Sequence, residues 1–431
     1  MQLCPVHKGL IHTRRSSPRR AGVAHGVRPS LSVVGQCYAR LVDTIPRGAG
    51  RGRLARFVLG VGLLAVVVGN AAPFVPTDEG AIVETLRDRP LDRTDLELRE
   101  LRRRLRAAPV TLPLALAVAQ NSIAIARRDG DPRYLGYAQA ALMPWWSSPT
   151  APETVRLLKA TLLQSVHQFY QALDELRRVL ESDPRNAQAW LTQASILQVQ
   201  GRYADAAASC KRLGSLGAAL YGAACLAELA SLTGDATAAR VRLATLVATD
   251  SGPSGSWLHL MQAELEERIG DFVSADRDFG LALALSPDAY TKAAYADFLL
   301  DRNHAQEVIP LLEKDQRADP LLLRLALAYR ATKNPALAAS VATLAARFDA
   351  ARLRGDRVHQ REEARFQLYL VGHPDEALRL ALANWAVQRE PADARILLEA
   401  AQAAHYPEAA DPVRDFVRRT GLTDQRLTRF L

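Results

Sequence analysis

Cysteine and histidine are the residue types in this chain most able to do chemistry, and their spacing argues against most of it. The nine histidines never pair at metal-ligand spacing, and the sequence contains no CxxC, no GxSxG, no glycine-rich phosphate loop and no H-E-x-x-H. His167, His304 and His373 each fall at a turn between helices, where a solvated surface position is expected. Cys210 and Cys225 sit on two helices joined by the turn from Gly214 to Leu220, at similar distances from it. Antiparallel neighbours would bring them together. In an oxidising compartment a bridge closing a loop of about 15 residues would add ~3 kcal/mol; the other reading is two small thiols buried in a core. The pair Trp145-Trp146 is either an exposed protein-binding anchor or a cap over the first full repeat. Nothing here calls for a cofactor, a metal or a catalytic role, so the chain is expected not to be an enzyme.

The elements that hold these residues are helices. Hydrophobic residues make up 48% of 431 residues, led by Ala and Leu, while aromatics are 6% and long alternating Val/Ile/Thr runs are absent. An all-α chain is expected, with almost no sheet.

The formal charge of +9 suggests nucleic acid until it is located. Residues 1–56 carry eleven Lys or Arg against a single acid, Asp43, a net of +10, and the rest of the chain nets −1. A near-neutral body lacks the phosphate-neutralising footprint of a nucleic-acid binder. Arg51, Arg53 and Arg56 precede an apolar stretch from Phe57 to Val68, followed by the small residues Gly69, Asn70, Ala71 and Ala72. That is the order of a secretory signal, with cleavage expected after Ala71. Counted through Val75 the stretch reaches 19 residues, nearly long enough to span a bilayer, so a retained single anchor is the rival reading. Either way the body is expected on the exported side, periplasmic or held at the inner membrane, with membrane contact through this segment alone. The organisation expected is a basic leader at 1–56, the signal or anchor at 57–75, an N-terminal helical region and hairpin at 78–150, well-matched repeats at 153–287, and degenerate repeats with a C-terminal cap at 288–431.

Within the body, alanines twelve residues apart recur at Ala160/Ala172, Ala194/Ala206, Ala227/Ala239 and Ala263/Ala275. Gly201, Gly234 and Gly270 stand five residues before the second alanine, where a left-handed turn after a first helix needs them, and Pro184 and Pro287 close second helices. Beyond them the spacing drifts through Val308 with Pro320, Asn334 with Ala339, and Gly372 with Ala377, and helices around Ile396–Ala404 and Pro412–Arg419 look like a cap. Upstream, Asp95–Leu105 reads as an amphipathic helix, Leu114–Arg127 and Arg133–Met143 as a hairpin, and Thr150 to Glu153 as a capping box.

With Trp190, Ala194, Leu197, Gly201, Tyr203 and Ala206 in one repeat, and Ala263, Gly270, Phe272, Ala275, Phe279 and Pro287 in another, the chain resembles tetratricopeptide-repeat (TPR) proteins, in particular those exported to the bacterial cell envelope. The resemblance implies a TPR-type α-solenoid, a right-handed superhelix of antiparallel helix pairs whose concave face grips a peptide or helix of a protein partner. The Lys, Asn and Arg with which some TPR proteins clasp a C-terminal carboxylate are missing. Transferred to this sequence, the groove is lined by Gln188, Ser195, Glu228, Trp257, Glu264, Glu267, Arg268 and Phe298, a polar to acidic set suited to a partner segment carrying Lys or Arg. The function expected is a non-catalytic scaffold for envelope assembly or maturation. The alternatives are an enzyme or enzyme subunit with its chemistry in residues 78–150, and a cytoplasmic adaptor if the leader is not an export signal.

Overall fold

The computed structural model describes residues 91–431 apart from Ser251, Pro253 and Arg357. The basic leader at 1–56, the apolar segment at 57–75 and the start of the region at 78–150 lie outside the described residues. Among those described there is no strand. The helix α1 (Arg93–Ala107) opens on a capping box made by Asp92 and Asp95 and buries Leu98. After it the chain is a run of antiparallel hairpins, each a first and a second helix. The N-terminal hairpin is α2 (Leu112–Asp129) with α3 (Arg133–Trp146). Four hairpins with the alanine spacing follow: α4 (Glu153–Ser165) with α5 (Phe169–Ser182), α6 (Ala187–Val199) with α7 (Tyr203–Ser215), α8 (Ala219–Leu232) with α9 (Ala236–Thr249), and α10 (Gly255–Ile269) with α11 (Phe272–Leu285). The last four are α12 (Ala289–Asp301) with α13 (Ala305–Leu312), α14 (Asp319–Ala331) with α15 (Leu337–Leu353), α16 (Gln360–Phe366) and its π-helical turn Gln367–Val371 with α17 (Pro374–Trp385), and α18 (Pro391–Ala403) with α19 (Asp411–Thr420). The described residues form an all-α, TPR-like solenoid.

One local device repeats through it. The residue that ends the turn after a first helix has positive φ, and five positions later a small residue at the start of the second helix is buried. The glycines at 201, 234 and 270 (φ 71°, 96° and 87°) precede Ala206, Ala239 and Ala275 in this way, and Gly372 (φ 82°) precedes Ala377. His167, Asn303 and His405 fill the same left-handed position (φ 58°, 63° and 60°) ahead of Ala172, Val308 and Ala410. The first-helix partners Ala160, Ala194, Ala227, Ala263 and Ala296 are buried as well. At the alanine crossings a methyl group lets the two backbones approach, and a longer side chain would push the hairpin open.

Several expected details fall elsewhere. In the hairpin of α14 and α15 the left-handed residue is Lys333 (φ 54°), not Asn334, and the buried small residue is Ser340, while Ala339 is exposed. Asn334 instead accepts the Ala336 amide at 2.9 Å, which delays the start of α15. Pro320 lies in the first turn of α14 rather than closing a helix, since its missing amide costs nothing there. No capping box forms at Thr150: Pro152 occupies the N-cap of α4, and Glu153 takes a hydrogen bond from Asn186 at 2.7 Å.

The C-terminal hairpins do more than cap the array. First helices end with unsatisfied carbonyls, and the chain's last segments donate to them in turn. The Arg389 amide bonds the Val199 carbonyl of α6 (2.8 Å), Thr423 bonds Leu232 of α8 (2.9 Å), and Gln425 bonds Arg268 of α10 (3.0 Å). From the other end, Asp131 approaches Arg317 at 3.8 Å, and Gly130 abuts Ala289 and Ala318. The path of hairpins thereby returns on itself around its inner face.

Candidate binding cavity

The inner face lines a partly open cavity of about 1640 Å3. Its wall is built mainly from first helices, as the concave face of such an array should be. The hairpins of α4 and α6 reach it only at Ser165, His167, Gln198 and Tyr203, and α8 only through Glu228 and Leu232 at its C-terminal end, whereas α10, α12, α14, α16 and α18 present several residues each.

That geometry sorts the sequence-predicted residues. Glu228, Trp257, Glu264, Glu267 and Arg268 line the cavity; Gln188, Ser195 and Phe298 do not. Gln188 is buried on α6 and donates to Thr192 at 3.3 Å, and the Ser195 hydroxyl bonds back to the Leu191 carbonyl at 3.1 Å. Phe298 is a core residue, its ring 5.3 Å from that of Phe279. The transferred groove register fails there because α6 meets the cavity with its last turn, and because Asp297 and Asp301 carry the inward face of α12.

The groove is also not acidic overall. Asp297 sits between two guanidiniums, 2.5 Å from Arg324 and 2.8 Å from Arg365. Burial alone would raise its carboxyl; the two arginines outweigh burial and hold it well below the usual range. Arg361 reaches Glu390 at 3.1 Å and Asp393 at 3.3 Å, and Arg395 pairs with Glu399 on its own helix and with Asp301 on α12. Glu267 pairs with Arg426 at 2.8 Å. Sequence reasoning missed these arginines because most of their acids lie on other hairpins. Their one local signal is the i,i+4 spacing of Arg361 with Arg365 and of Arg395 with Glu399 on first helices.

On the α8–α10 side the balance differs. Glu228 is 7% exposed; one oxygen lies 3.8 Å from Arg268, and the other, Oε2, has no hydrogen-bond partner. Burial pushes its carboxyl up. Glu264 accepts the Tyr290 hydroxyl at 2.8 Å, and burial together with the neighbouring Glu228 charge pushes it up to about 7. Tyr203 also lines this region.

His167 is a correction to the surface expectation: it is half-buried on the cavity wall beside Gln388 at 3.2 Å, and burial, reinforced by Arg361, lowers it to about 4. His304 and His373 are exposed. Trp145 and Trp146 end α3 and pack inward, with Lys159 bonding the Trp146 carbonyl at 2.7 Å. Cys210 and Cys225 are disulfide-bonded, their Cα atoms 5.8 Å apart. The helices come this close because Gly222 leaves room: a Cβ there would stand 2.8 Å from the Gly214 nitrogen and 2.9 Å from the Cys210 carbonyl. Among the described residues no group of His, Cys, Asp and Glu could hold a metal ion, and no helix is long and apolar enough to cross a membrane.

No protein-family model and no curated protein matches the chain. Among solved structures it is similar to the crystal structure of the P58(IPK) TPR domain, at 16% sequence identity over 78% of this chain and 96% of that one, with a TM-score of 0.20. The helix pairs, left-handed turns and buried alanines described above are what make this fold TPR-like.

Proposed function

We propose that this protein is a non-catalytic scaffold that holds a segment of another protein against its concave inner face. The observation that carries the reading is the size and chemistry of that face. At about 1640 Å3 the cavity exceeds the roughly 300–1,000 Å3 of ordinary small-ligand sites. Its wall mixes apolar first-helix residues such as Leu260 and Leu327 with fixed charges from several hairpins, a combination suited to a polypeptide with alternating side chains. Chemistry in residues 78–150 gains no comparable support: the small depression beside α1 is lined by Leu96, Glu100 and four arginines.

The basic flank and apolar stretch at 57–75 support the further reading that the scaffold works on the exported side of a membrane, in envelope assembly or maturation, released or tethered by that stretch. A photo-crosslinker at Trp257, inside the cavity, should capture a partner in intact cells, whereas one at Val273, 85% exposed on α11, should not. Equal capture, or none, at Trp257 would end the holding reading. An alkaline phosphatase fused after residue 77 should be active only if the body is exported.

A further inference from the structure

We propose that the outward face of α1 rests on an anionic phospholipid surface, with Arg99, Arg103 and Arg106 as its phosphate contacts. The inference rests on the reading above that the stretch at 57–75 tethers the protein, and it adds a second point of membrane contact to that stretch.

The face is set by what α1 buries. Leu98, with Leu101 and Leu105 beside it, packs against Val118, Ile125 and Ala141, and Arg128 of α2 pairs with Asp92 at 2.5 Å and Asp95 at 3.4 Å. The opposite side of the helix is thereby held outward. There Leu96, Arg99, Arg103 and Arg106 recur at spacings of three and four, one stripe of a helix, and all are exposed. They line one depression together with Arg102 and Glu100. Its single carboxylate is 2.6 Å from Arg103, and Arg102 lies 3.7 Å over the Tyr137 ring. Among the described residues Arg99 and Arg106 have no acid within 4 Å.

Four arginines against one glutamate call for an anion, and phosphate suits the guanidinium fork. A lipid surface is the source that the surroundings favour. Leu96 and Val110, 54% and 72% exposed, bracket the arginine row, as apolar residues do where a helix lies between headgroups and acyl chains. Arg93, the first residue of α1, follows Val75 by 18 residues, a connection of at most ~65 Å, so a tether would keep α1 close to the bilayer and raise its effective concentration there. A nucleic-acid duplex would need the basic surface to continue onto the hairpins, whereas the chain beyond residue 56 nets −1.

The test reconstitutes full-length protein into vesicles of phosphatidylcholine or of phosphatidylglycerol, each with a trace of photoreactive lipid bearing its own headgroup, and maps the labelled peptides. Labelling of α1 should be at least roughly tenfold greater with phosphatidylglycerol, given about fivefold per arginine near an anionic surface, and should fall in high salt. Arg99→Gln, Arg103→Gln and Arg106→Gln together should reduce it to the phosphatidylcholine level, with labelling at 57–75 unchanged and thermal unfolding still cooperative. If that variant fails to fold, the salt series on the natural sequence decides, and salt-insensitive labelling overturns the site. Equal labelling of α1 by both lipids, or undiminished labelling in the variant, also overturns it but leaves the tether standing. No lipid label at 57–75 or at α1 overturns both. Labelling of α1 by a photoreactive DNA duplex but not by phosphatidylglycerol makes the face a nucleic-acid site and overturns the proposal.

Discussion

Arg426 lies 2.8 Å from Glu267, joining the last turns of the chain to the end of α10 across the inner face. The same guanidinium is 2.6 Å from Asp424. The two partners are therefore not equivalent. Arg426→Ala strands both Asp424 and Glu267, the latter 5% exposed with no other cation within 4 Å among the described residues, and should cost about 3 kcal/mol or more. Glu267→Gln leaves Arg426 paired with Asp424 and should cost about 1 kcal/mol. Denaturant unfolding measures both; equal losses would mean that the tail is not held by this pair.

The bond between Cys210 and Cys225 spans a sequence separation of 15. Replacing both by Ala should lower stability by ~3 kcal/mol in the oxidised protein and leave the reduced protein little changed. Peptide mapping of denatured, unreduced protein should recover the two cysteines in one linked fragment. Finding both alkylated would return them to the status of buried thiols.

The hairpins from Glu153 to Leu285 were legible in the sequence because their determinants are local. An alanine, a glycine five residues before its partner and a proline after the second helix all act within one repeat. Where another residue fills the left-handed position, as at His167, Asn303 and His405, the consensus weakens although the turn survives. The closure was not legible. Thr423 on Leu232, Gln425 on Arg268 and Arg365 on Asp297 join hairpins far apart in sequence, and no periodicity encodes such pairings. For that reason Glu228 and Glu264 could be placed on the inner face from sequence, while the arginines that neutralise the rest of it could not.

Two turn glycines separate local strain from closure. Gly234 has φ 96° and open space around it, so Gly234→Ala should cost about 1 kcal/mol of backbone strain alone. Gly201 has φ 71°, and a Cβ there would stand 2.5 Å from the Phe416 ring of α19. Gly201→Ala should cost about 3 kcal/mol, because α19 must shift as well. Hydrogen exchange locates the difference: the alanine at 201 should speed exchange in α19 and the alanine at 234 should not. Matching profiles would show that α19 is not packed on that turn.

The pH dependence of stability follows from the buried groups. Glu264 is raised from 4.5 to about 7 by burial and by the Glu228 charge, opposed by Arg268 and the Tyr290 hydroxyl. The folded state then binds a proton that the unfolded state has released. This group's contribution is present below pH 4.5 and is lost as pH rises through about 7. His167, lowered from 6.5 to about 4, acts in the opposite sense and destabilises as pH falls through that window. Glu266 and Glu267, also pushed up to about 7 by burial, slope the same way as Glu264, so the wild-type profile is a sum over several groups. Glu264→Gln isolates one of them. Relative to wild type, its melting temperature should climb as pH rises from 4.5 to 7 and level off above that range. A difference that stays flat across the window would mean that Glu264 titrates as an ordinary carboxyl and is not held in a water-poor site.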